Sequence, residues 1–63
     1  MKRRELEQRI ARIAKAKGLQ TSYSEGGNHT KLTVGNVVTF IPRHSEINED
    51  TAKGILKSVN GAS

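Results

Sequence analysis

Two histidines and the cations near them are the side chains with chemistry to offer. His29 follows Gly26-Gly27-Asn28 and opens the alternating run His29-Thr30-Lys31-Leu32-Thr33-Val34. In an extended segment alternate residues share a face, so Lys31 stands beside His29. Imidazole is the side chain that ordinarily takes or gives a proton near neutral pH, a role worth about 10²–10⁴ in rate. Cations alongside, Lys31 and Arg43, would stabilise the charge of a phosphorane, and His44 would serve as a phosphate contact or a second proton donor. The same residues have a plainer reading. A histidine at a turn is commonly a surface polar group or a partner for turn backbone, and charged neighbours are commonly solvated. No carboxylate is placed to form a dyad with either histidine, and the glycine pair lacks the spacing of a Walker or dinucleotide loop. The chain has no cysteine, which excludes disulfides and thiolate ligands. Two histidines far apart make a poor metal site, so neither metal nor cofactor is expected.

Length and charge narrow the setting. The 63 residues suffice for one small domain, and 11 Lys plus Arg against 6 Asp plus Glu give a formal net charge of +5. At this size folding removes only about 60% of the surface of the unfolded chain, and the core yields about 3–5 kcal/mol. The basic excess favours an anionic partner, nucleic acid first, with general solubility and attachment to a membrane surface as the alternatives. No stretch approaches the roughly 18 apolar residues of a membrane span. Met1-Lys2-Arg3-Arg4 leads into alternating charges where a signal peptide needs an apolar run. A cytoplasmic protein without a membrane partner is the expectation.

The elements that must position these residues follow from periodicity. Lys2 to Lys17 places Leu6, Ile10, Ile13 and Ala14 on one helical face, and Gly18 suits the left-handed C-terminal cap. Lys2, Arg3 and Arg4 oppose the positive end of the helix dipole, so the first turn either frays or is held by a bound phosphate. Leu19 to Ser24 alternates as a first strand, and Glu25-Gly26-Gly27-Asn28 reads as a turn. Strands over about His29–Val34 and Val37–Ile41 meet across Gly35-Asn36, a two-residue hairpin loop. That loop sets Val34 opposite Val37, Leu32 opposite Thr39 and Thr30 opposite Ile41, with Leu32, Val34, Val37 and Ile41 on the core face. His29, Lys31 and Thr33 then lie opposite Pro42, Phe40 and Val38 on the other face, a contact surface with a basic edge. Asn48 is an N-cap for a second helix running to about Val59, with Ala52, Ile55, Leu56 and Val59 apolar and Ile47 stapled to Ala52. Gly54 within that helix predicts a close packing contact. The order is α-β-β-β-α, an α+β domain over residues 1–61 with two helices on one face of a three-stranded antiparallel sheet and residues 62–63 as a short tail.

The segment Gly27-Asn28-His29-Thr30-Lys31-Leu32, the hairpin after it, Ile41-Pro42-Arg43-His44 and the stretch from Asn48 to Leu56 together resemble the HicA-type toxins of bacterial toxin–antitoxin systems. The resemblance spans essentially the whole chain. It implies a double-stranded-RNA-binding-domain-like fold, metal-independent cleavage of mRNA, and a HicB-like antitoxin that covers the active site. The family's Gly-Ser-His turn maps onto Gly27-Asn28-His29, with Asn28 in place of the serine and Leu32 where an aromatic residue is common. By that resemblance His29 is catalytic and Gly26, Gly27 and Asn28 shape its turn. Lys31, Arg43, His44, Lys2, Arg3 and Arg4 are the candidates for binding RNA or stabilising charge. A noncatalytic RNA-binding module is the alternative on the same fold, and a protein adaptor using Val38 and Phe40 is a third reading.

Overall fold

A computed structural model describes residues 1–63 and has the order α1 (Arg3–Lys17), β1 (Thr21–Gly26), β2 (His29–Val34), β3 (Val37–Pro42), α2 (Glu49–Asn60). The strands form one antiparallel sheet in the order β1-β2-β3. This is the expected α+β architecture. Both helices lie on one face of the sheet, where Leu6, Ile10 and Ala14 of α1 and Ala52, Ile55 and Val59 of α2 are buried with Leu32, Val34 and Ile41 of the strands. No helix is long and apolar enough to cross a membrane.

The hairpin register is as expected: Val34 pairs with Val37, Leu32 with Thr39 and Thr30 with Ile41. Gly35 at φ +55° supplies the left-handed residue that such a tight turn requires. The first strand differs. Leu19 is not in it, because Gly18 at φ +71° ends α1 with paired bonds, Gly18 N–H to Lys15 O and Leu19 N–H to Ala14 O at 2.9 Å. The strand therefore starts at Thr21 and continues through Glu25 and Gly26, which were expected in the turn. Gly26 pairs with His29, and the turn is only Gly27-Asn28, with Gly27 at φ +56°.

The start of α1 is held by partners within the chain. Arg3 N–H donates to Ser45 O at 2.9 Å and Ile47 N–H to Met1 O at 2.7 Å, so residues 1–3 lie along the segment that enters α2. Lys2 Nζ pairs with Glu46 at 3.0 Å, and the Met1 ammonium donates to Ile47 O and lies 3.0 Å from the Glu49 carboxylate. These bonds bring both helix N-termini to one end of the molecule, so α1 and α2 run side by side in the same direction.

Two further expectations change. Residues 62–63 are part of the packed body: Ala62 is buried, and Ser63 is bonded twice to Asn36 of the β2–β3 turn, its N–H donating to the side-chain Oδ1 and its carbonyl accepting from the backbone N–H. Gly54 meets nothing within 4 Å of where a Cβ would stand, so no close contact requires it. Its carbonyl accepts instead from Ser58 Oγ one turn later.

Candidate active site

His29 is the first residue of β2, exposed on the sheet face that no helix covers. Strand alternation aims it there together with Lys31, because Thr30 and Leu32 between and beyond them are buried on the core side. Its cross-strand neighbours are Gly26 and Pro42, neither of which has a side chain able to crowd the imidazole. Two open depressions meet at His29. One is lined by Ser24, Glu25, Gly26, Lys31 and Phe40, the other by Gly27, Asn28, Pro42, Arg43 and His44.

Arg43 is fixed on the second of these. Its backbone N–H donates to Asn28 O at 3.2 Å and its Nη1 to Gly27 O at 3.1 Å, so the residue just past β3 ties down the turn that presents His29. One guanidinium edge is thereby occupied while the rest remains exposed. His44, the next residue, is exposed at the same depression. The chain thus brings His29, Lys31, Arg43 and His44 around one end of the bare sheet face. An imidazole and three further groups able to donate to phosphate oxygens can hold an anion and move a proton beside it.

The N-terminal cations do not join this cluster. Lys2 is paired with Glu46, and Arg3 is turned toward the helix side of the sheet, where Nη2 donates to Thr30 Oγ1 at 2.7 Å and lies 3.5 Å from Glu7. Arg4 is exposed and shares a separate depression with Lys2, Arg3, Glu7 and Ser45.

Sequence reasoning missed the relay behind His29. Thr30, the one buried polar residue, receives the Arg3 bond and donates its hydroxyl to Glu25, tying the ends of α1, β1 and β2 together one residue from the imidazole. The signal was present in the register, since Glu25 pairs with Thr30 once β1 is carried to Gly26. Tyr23 also sits on this side. Burial lifts its phenol above the ordinary value, the Glu7 charge adds to that and Arg3 opposes it, so it stays protonated at neutral pH.

No family model matches the chain, and neither a curated protein nor a solved structure matches it. The class that the fold defines is a small α+β domain with one bare sheet face.

Proposed function

We propose that the chain is an endoribonuclease of the HicA type, the toxin of a type II toxin–antitoxin pair, acting on mRNA. The observation that carries the reading is the placement of His29 on an uncovered face, at the junction of two depressions, with Arg43 fixed beside its turn. His29 removes the proton from a ribose 2′-hydroxyl, the 2′-oxygen attacks the adjacent phosphorus, and the 5′-oxygen leaves with a proton from His44 or from the protonated His29. The products are a 2′,3′-cyclic phosphate and a 5′-hydroxyl. Lys31 and Arg43 balance the extra charge on the phosphorane. Val38 and Phe40, each more than half exposed on the same face, give a HicB-like antitoxin apolar area beside the cations it would cover.

A noncatalytic RNA-binding module is the second reading. It rests on the same cations, since Lys31 and Arg43 at the bare sheet face can meet phosphates whether or not His29 moves a proton. End-group analysis of RNA incubated with the chain in a chelator-containing buffer separates the two. Cyclic-phosphate and 5′-hydroxyl ends, lost in His29→Ala, are the expected result. Intact RNA that still binds supports the module, and 5′-phosphate ends exclude attack by the 2′-hydroxyl.

A further inference from the structure

The charge of this chain is divided by the fold in a way that composition does not show. All six acidic residues lie at the end where the helices begin: Glu5 and Glu7 in the first turns of α1, Glu46, Glu49 and Asp50 at the start of α2, and Glu25 beside Thr30. Lys2, Arg3 and Arg9 pair with Glu46, Glu7 and Glu5. Arg12, Lys15 and Lys17 of α1 and Lys53 and Lys57 of α2 are five further cations on the helix layer. None of these five makes an ion pair within the chain. Asp50 and Glu49 precede Lys53 by three and four residues, and neither forms an ion pair with it, the Glu49 carboxylate being held by the Met1 ammonium.

A groove runs between the helices beside these cations, lined by Arg9, Arg12, Ile13, Leu56 and Asn60. Lys53 precedes Leu56 by three residues and Lys57 precedes Asn60 by three, which puts both lysines on the α2 face that borders the groove. Complementing the helix dipole accounts for Lys15, Lys17 and Lys57 in last turns, but not for Arg12 or Lys53. Residues four apart on a helix are about 6 Å apart along its axis, so the lysines repeat along the groove. Ile13 and Leu56, both partly buried against the core, offer little apolar area, too little to anchor a protein partner. A row of phosphates needs only repeated, mobile cations.

We infer that this interhelical groove is a binding surface for the phosphate backbone of single-stranded RNA, on the helix layer and apart from the His29 face. The inference rests on the proposed RNA reading and assigns most of the RNA affinity to residues outside the candidate active site.

The test is a salt titration of binding to a labelled single-stranded RNA, by fluorescence anisotropy, with full-length chain carrying His29→Ala so that the probe stays intact. Arg12→Gln/Lys53→Gln/Lys57→Gln should lower the log–log salt slope by about 2, from roughly 0.7 per lost phosphate contact. Arg12→Lys/Lys53→Arg/Lys57→Arg should keep the slope. Circular dichroism verifies folding, and if the triple variant does not fold, Arg12→Gln and Lys53→Gln alone should each lower the slope by about 0.7. An unchanged slope with RNA still bound overturns the groove and leaves the RNA reading standing. Failure of the parent chain to bind RNA overturns both. Loss of binding to a polyglutamate peptide with RNA binding intact overturns the groove in favour of a protein partner.

Discussion

Arg3 donates to the Thr30 hydroxyl at 2.7 Å from the helix side of the sheet, while His29, the residue before Thr30, faces the opposite side. Thr30 in turn donates to Glu25, so one hydroxyl joins α1, β1 and β2 behind the imidazole. Thr30→Val keeps the shape and removes the hydroxyl, leaving the Arg3 and Glu25 groups short of a partner. The expected cost is about 1–3 kcal/mol, toward the lower end because Arg3 and Glu25 retain access to water. Urea unfolding measures it, and Thr30→Ser should recover most of the loss.

Arg43 is expected to act on the reaction more than on the fold. Arg43→Ala keeps the backbone bond to Asn28 and removes the exposed one to Gly27 along with the cation. Single-turnover RNA cleavage should fall by about 10²-fold, the usual effect of losing one donor to developing charge. The melting temperature should move little, and Arg43→Lys should restore part of the rate. A large drop in melting temperature with the rate preserved would reverse this assignment.

Two glycines give opposite outcomes on substitution by alanine. At Gly54 a Cβ meets open space inside an exposed stretch of α2, so Gly54→Ala should stabilise the chain by about 0.5–1 kcal/mol. At Gly35 the backbone stands at φ +55° and a Cβ would lie 2.6 Å from the Ser63 carbonyl oxygen and 3.1 Å from Leu19 Cδ1. The left-handed conformation alone costs about 1–2 kcal/mol for a residue with a Cβ. Gly35→Ala should therefore cost more than Gly18→Ala, which has similar strain at φ +71° and nothing within 4 Å. Parallel denaturant titrations of the three variants check the order.

The cluster at the start of both helices sets a pH dependence. The Lys2 bond, followed by the Met1 ammonium, holds the Glu46 carboxyl below its ordinary value of 4.5, and the Met1 ammonium does the same for Glu49. Both bonds raise the Met1 amine above its ordinary value of 8.0. A carboxylate depressed by folding stabilises above its unfolded value, and that contribution disappears as pH falls through the folded one. An amine raised by folding stabilises below its unfolded value and loses the contribution as pH rises through the folded one. The cluster contributes fully between about pH 5 and 8. Melting temperature should decline on both sides of that window, and Glu46→Gln should flatten the acid limb.

The β2–β3 hairpin could be read from residues alone because Gly35-Asn36 fixes the register and Thr30, Leu32 and Val34 alternate cleanly. The start of β1 could not, since Leu19 is an apolar residue that completes a helix cap as well as it would begin a strand. Lys31 shares the bare face with His29, and Arg43 lies at the turn before it, placements that follow from the register. The fate of Lys2 and Arg3 depended on Glu46 and Ser45, partners more than forty positions away that no local pattern reveals. The same holds for Ala62, which is short, apolar and terminal, and is buried only because the chain returns to Asn36.

The clamp on the start of α1 has a consequence for synthesis. Residues 1–3 are held by residues 45–49, so the start of α1 gains these partners only after residues 45–49 have been made. Ribosomes add about 5–20 residues per second, and for the seconds that follow its emergence α1 is an isolated 15-residue segment, marginal as a helix in water. The clamp on the start of α1 therefore closes only once the segment that enters α2 has left the ribosome.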